Sequence, residues 1–244
     1  MAERLIEVDR SLVLAADVPT HEDLYQLLED VSDAPSISAV KLGFMAGLDG
    51  LAAAADIVDD VFDARCWSIY DHQKGGTDLP DMDEKFAEKL MSAGIDAAIL
   101  FPLTGPKTQR RWTSACLKVG LRVIIGGMMT HDEFLVSEGG YVADDAPSRI
   151  YNVACDQGIV DFVLPGNKLS WMQKIVDLLN ARLGAGNYAV HSPGLIRQGG
   201  SLSESGKIAG SIYHPIIGGG VYDLPRTERL RAVTNAVTVI GAAV

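Results

Sequence analysis

The sequence predicts an α/β fold in which eight parallel strands close into a (β/α)8 barrel. Three observations carry that expectation. Eight short apolar runs alternate with longer amphipathic stretches along the chain. The runs are predominantly apolar rather than alternating apolar and polar, as in strands buried on both faces of a parallel sheet. No linker or shift in composition divides the 244 residues, a length that suits one barrel of about 250 residues. A single domain over residues 1–244 is therefore expected. An open, doubly wound sheet is the alternative, and the absence of a glycine fingerprint after the first run counts against its dinucleotide-binding form.

The first run, Leu12–Asp17, leads through Pro19 and Thr20 into HEDLYQLLEDV, whose apolar positions recur at three- and four-residue spacing. The second and third runs are Ile37–Leu42 and Cys66–Asp71. MDEKFAEKLMSAG, from Met82, reads as the helix before Ala97–Phe101, and Arg122–Gly126 is the fifth strand. Phe162–Pro165 is the sixth, and SWMQKIVDLLNARLG, from Ser170, separates it from Tyr188–His191. Ile212–Gly218 completes the set. Gly94 and Gly120 are expected helix stops, since glycine takes the left-handed C-terminal conformation at little cost.

Lys and Arg number 21 against 32 Asp and Glu, a formal charge of −11. Such a chain has no general attraction to nucleic acid or to an anionic membrane, so an anionic ligand must be held by a local site. The expected partner is a small molecule. Cys66, Cys116 and Cys155 are too few and too scattered for a disulfide framework or zinc cluster, and reduced thiols are expected. MAERLIEVDR carries charges where a signal peptide needs an apolar run, and no apolar stretch reaches about 18 residues. A cytoplasmic protein is expected.

Barrel enzymes build their sites at the C-terminal ends of the strands. That rule selects Asp17 after the first strand, Lys41 at the end of the second, and Asp71, Lys74 and Asp78 in IYDHQKGGTDLPD after the third. Asp17 also suits a helix cap or turn, but two carboxylates and an ammonium directly after one buried strand suggest chemistry. Thr130 and His131 follow the fifth strand, and Pro165, Gly166 and Asn167 the sixth. His72 and His131 lack a metal-ligand companion at i+4, so no metal is expected. The glycine-rich loops SPGLIRQGG and IIGGGVYD follow strands seven and eight, where barrels often hold phosphate. Gly199, Gly200, Gly218, Gly219 and Gly220 would let backbone N–H groups approach the anion, with Arg197 supplying charge and Gln198 a side-chain donor. Ser201 or Ser203 would cap the helix that follows.

At these residues the sequence resembles orotidine 5′-monophosphate decarboxylases of the archaeal type, from Leu12 to Tyr222. Asp71, Lys74 and Asp78-Leu79-Pro80 resemble the family's Asp-x-Lys-x-x-Asp signature and its following Ile-Pro. Lys41 in VKLGF and Asp17 in LAAD match its strand-two lysine and strand-one aspartate. Met129-Thr130-His131-Asp132 resembles its Met-Ser-His-Pro segment. Ser192-Pro193-Gly194 with Gln198-Gly199-Gly200 matches its phosphate loop, and Ile217 to Tyr222 its last element. Two departures stand out. The strand-three motif is one residue longer on each side of Lys74, and the family's phosphate-binding arginine falls at Gly219. Arg197 and Arg226 are the candidates to replace it, and an arginine restored at 219 is expected to raise kcat/KM.

The resemblance implies decarboxylation of orotidine 5′-monophosphate to UMP and CO2 without cofactor. It implies Lys74 as proton donor, Asp71 beside the substrate carboxylate, and Lys41 and Asp78 completing a Lys–Asp–Lys–Asp array. Asp78 would come from the partner subunit of a homodimer. Asp17 would hold the ribose, Thr130 the pyrimidine, and Pro193, Arg197, Gln198, Gly199, Gly200, Gly218 and Gly219 the phosphate end. The alternatives are a nucleotide- or phosphate-binding paralogue without turnover, or another sugar-phosphate lyase on the same barrel.

Overall fold

The computed structural model describes residues 3–71 and 78–241. Eight parallel strands close in sequence order into a barrel: β1 (Leu12–Ala15), β2 (Ile37–Leu42), β3 (Trp67–Asp71), β4 (Ala97–Leu100), β5 (Arg122–Gly126), β6 (Asp161–Val163), β7 (Ala189–Ser192) and β8 (Tyr213–Ile217). The ring is completed where Val13 and Leu14 of β1 pair with Ile216 and Ile217 of β8. The helices are α1 (His21–Glu29), α2 (Phe44–Phe62), α3 (Asp83–Ser92), α4 (Pro106–Lys118), α5 (Ala146–Asp156), α6 (Leu169–Leu183), α7 (Leu202–Ala209), the short α8 (Gly219–Tyr222) and α9 (Arg226–Ile240). Gly94 and Gly120 follow α3 and α4 at φ of 73° and 94°, the conformation anticipated for them.

Alternation along each strand divides the core in two. Leu12, Leu14, Val40, Leu42, Ala98 and Leu100 point outward and pack under the helices. Val13, Ala15, Ala39, Ile69, Ala97, Ile99, Ile124, Val163 and Ile216 point into the barrel. Leu5 and Ile6, both buried, belong to the inner cluster and lie toward the N-terminal end, where the Leu5 N–H donates to Asp161 Oδ2 at 3.1 Å. Asp161, His191 and His214 share the inward parity. His191 Nε2 lies 2.9 Å from Asp161 Oδ1, and His214 Nδ1 lies 2.9 Å from Ser11 Oγ. The interior is thus a packed core, polar below and apolar in the middle.

The three cysteines are buried and unpaired. Burial pushes the Cys66 and Cys116 thiols up to about 12, so both behave as small apolar side chains. Among the described residues no helix is long and apolar enough to cross a membrane.

Candidate active site

The inward parity that fills the barrel also aims the candidate residues at its C-terminal mouth. On β1 residues 13 and 15 point inward, and residue 17 continues the series just past the strand. On β2 the inward positions are Ala39 and Lys41; on β3 they are Ile69 and Asp71. The parallel register places Lys41 beside Ala15 and Ile69, one inward step deeper than Asp17 and Asp71. A lysine stem is long enough to cover that step, and the ammonium rises between the two carboxylates. Lys41 Nζ lies 3.3 Å from Asp17 Oδ1 and 3.1 Å from Asp71 Oδ2.

The electrostatics follow from burial. Lys41 is only 7% exposed. Burial alone would push its ammonium down, but the charges of Asp71 and then Asp17 outweigh that, and its pKa is raised above the ordinary lysine value. Asp71 Oδ1 is buried and has no hydrogen-bond partner among the described residues. The array therefore sets one buried ammonium between two carboxylates, with Asp71 Oδ1 left unpartnered among the described residues. Asp17 is free for this role because Thr20 caps α1: its hydroxyl accepts the Asp23 N–H at 3.1 Å.

Above this array lies a cavity of about 390 Å3, with Ile99, Phe101, Val163 and Ile216 among its apolar walls. Asp17, Lys41, Asp71, Thr130, Pro193, Arg197, Gln198, Gly218 and Gly219 all line it. Gly199 and Gly200 shape its rim without lining it. Gly199 takes φ of 84°, which closes the Ile196–Gln198 turn, and a β-carbon on Gly200 would stand 2.5 Å from the Gly194 carbonyl oxygen. Ser201 caps α7 by accepting the Glu204 N–H at 3.3 Å. Thr130 is held from beneath by Asn167, whose Nδ2 donates to the Thr130 carbonyl at 2.9 Å.

Two candidates, Asp78 and Arg226, stand outside the cavity lining. Asp78 is exposed, lies outside the cavity lining, and accepts the Leu79 N–H at 2.6 Å. Arg226, a candidate phosphate cation, is committed to Asp30, with Nη2 to Oδ1 at 2.9 Å, and does not line this cavity. Lys74 and His72 lie outside the described residues, as does the rest of the lengthened segment between Asp71 and Asp78. His131 is exposed and its Nδ1 lies 2.7 Å from the Asp132 carbonyl.

Two residues at or beside this cavity, Phe101 and Asp223, are not marked by the sequence as site residues. Asp223, which follows α8, does not itself line this cavity but pairs with Arg197, which does. Phe101 points into the mouth from just beyond β4, and a β-carbon on Gly126 would overlap its ring. Inward parity, extended one step past each strand, would have found Phe101. Nothing local marks Asp223.

No protein-family model matches the chain. Two curated relatives do, both named orotidine 5′-phosphate decarboxylase. The one from Methanosarcina mazei is 25% identical over 206 residues, covering 82% of each chain. The one from Methanosarcina barkeri is 25% identical over 228 residues, covering 89% of each. Among solved structures, an orotidine 5′-monophosphate decarboxylase from Methanocaldococcus jannaschii, complexed with the inhibitor BMP, superposes with a TM-score of 0.77 at 19% identity, covering 95% of this chain and 98% of that one. An orotidine 5′-phosphate decarboxylase from Pyrococcus horikoshii gives a TM-score of 0.72 at 21% identity, covering 95% and 100%.

Proposed function

We infer that this chain is an orotidine 5′-phosphate decarboxylase, a carboxy-lyase that converts orotidine 5′-phosphate to UMP and CO2. The observation that carries the reading is the Asp17–Lys41–Asp71 array, set at the mouth of a barrel that matches these enzymes over nearly its whole length. The reaction breaks the bond between the ring carbon and its carboxylate. The electron pair stays on the ring carbon, which then takes a proton.

The charge pattern suits that chemistry. Asp71 would stand beside the substrate carboxylate, and two unit charges about 4 Å apart repel by roughly 4 kcal/mol at an effective dielectric near 20. That repulsion disappears as neutral CO2 leaves. Lys41 holds Asp71 in place through their ion pair, and a second ammonium would stabilise the developing carbanion and protonate it. Lys74 is assigned that part by its match to the family motif. Asp78 would complete the array from the partner subunit of a homodimer, a reading supported by its exposure and its place outside the cavity lining of its own chain.

Asp17 would hold the ribose hydroxyls and Thr130 the pyrimidine edge. Pro193, Gln198, Gly199, Gly200, Gly218 and Gly219 would surround the phosphate, with Arg197 supplying its cation. Binding energy from that remote end is available to position the ring over the array. The same reading makes the protein a single-domain cytoplasmic enzyme of pyrimidine biosynthesis, without cofactor. The test is turnover: purified protein in chelator should convert orotidine 5′-phosphate to UMP, followed by absorbance. Tight UMP binding without turnover would leave a binding paralogue.

A further inference from the structure

Two adjacent side chains of the turn after β7 lie on two adjacent glycines of the loop after β8. Ile196 packs on Gly220, where a β-carbon would meet its Cδ1 at 3.3 Å and its Cγ2 at 3.4 Å. Arg197 lies over Gly219, where a β-carbon would stand 2.7 Å from Nη1 and 2.8 Å from Cδ. The same β-carbon would also stand 2.8 Å from Oδ2 of Asp223, the carboxylate paired with Arg197. The space above Gly219 is therefore filled by the guanidinium of its neighbour.

The turn is built to deliver that side chain. Ile196 holds φ of 57°, a strained conformation for a β-branched residue and one that persists only where its surroundings require it. Its N–H donates to the Gly200 carbonyl at 2.9 Å, which ties the start of the turn to its end. Of the cations lining the cavity among the described residues, Lys41 is enclosed by two carboxylates, whereas the Arg197 side chain is 65% exposed and, among those residues, paired with the half-exposed Asp223 alone. A guanidinium carries five N–H donors in a planar fork, enough to engage a phosphate after yielding one to a carboxylate.

We propose that Gly219 is a specificity-determining residue: its missing side chain admits Arg197, from the neighbouring turn, as the cation for the substrate's phosphate. Positions 197 and 219 are then alternative and mutually exclusive places from which to deliver that charge. This rests on the nucleotide reading above. It also reverses one expectation of the sequence, because an arginine at 219 must displace Arg197 before it can help.

The experiment measures the affinity of UMP relative to uridine, and kcat/KM for orotidine 5′-phosphate, in wild type, Arg197→Ala, Gly219→Arg and the double variant. Loss of a charged hydrogen bond predicts that Arg197→Ala lowers the UMP-to-uridine affinity ratio about tenfold to a hundredfold. Gly219→Arg alone should lower kcat/KM, while the same substitution added to Arg197→Ala should recover at least tenfold. An unchanged ratio in Arg197→Ala, with wild-type turnover intact, overturns the inference alone. So does a gain from Gly219→Arg that is equal in both backgrounds. A wild-type protein that ignores both UMP and orotidine 5′-phosphate overturns the parent reading and this inference with it.

Discussion

The backbone of Gly43 lies so close to the carboxylate of Asp17 that a β-carbon at position 43 would overlap Oδ1. Gly43 ends the β2 segment and precedes α2, and its φ of −90° is open to any residue. Glycine is required there by space, not by conformation. Gly43→Ala should therefore push Asp17 away from Lys41 without strain in the backbone. We expect kcat/KM to fall about tenfold or more while the melting temperature moves by only a few degrees. Unaltered kinetics would mean that Asp17 does not need its observed position.

Lys41 and Asp71 are each about nine-tenths buried. Removing the cation leaves a buried carboxylate uncompensated, which costs about 3 kcal/mol. Lys41→Met should thus lower unfolding stability by roughly that amount, and Asp71→Asn in the same chain should recover most of it. Denaturant titration of the single and double variants reads this directly. Equal stability of Lys41→Met and wild type would contradict the pairing.

The raised pKa of Lys41 has its own sign. The folded state holds the proton more tightly than the unfolded chain, so the stabilisation is complete below the ordinary lysine value of about 10.4 and is lost as pH rises through the higher folded value. Activity should therefore show no loss attributable to Lys41 between pH 6 and about 9.

Acid acts through the barrel floor. Burial, then the neighbouring His191 and Arg4, hold the His214 imidazole well below its ordinary value. The unfolded chain takes up a proton near pH 6.5 that the folded chain refuses, so this contribution is complete above that pH and is lost as pH falls through the lower folded value. Each pH unit lost within that window costs up to about 1.4 kcal/mol. His214→Gln should flatten the decline between pH 6.5 and 5 in denaturant titrations. A variant with the same acid slope as wild type would place the sensitivity elsewhere.

The barrel was legible because its strands lie in predominantly apolar runs, and each anticipated run contains or overlaps a strand. The trimmed ends are informative. β1 stops at Ala15, yet Asp17, two residues on, keeps the inward direction and reaches Lys41. β6 begins at Asp161, which an apolar pattern discards, yet that residue is buried inside the barrel on His191 and the Leu5 N–H. Asp17, Lys41 and Asp71 could be read from strand ends, since parity fixes their direction. The pairing of Arg197 with Asp223 could not, because it depends on how two loops 26 residues apart settle against one another.

The role of the Lys41–Asp71 pair in turnover is tested most directly by the absorbance change when purified protein meets orotidine 5′-phosphate in chelator, run beside the Lys41→Ala and Asp71→Asn variants. Wild type should convert it to UMP, and both variants should lose orders of magnitude in rate. Absence of turnover by wild type, or full turnover by either variant, would contradict that role.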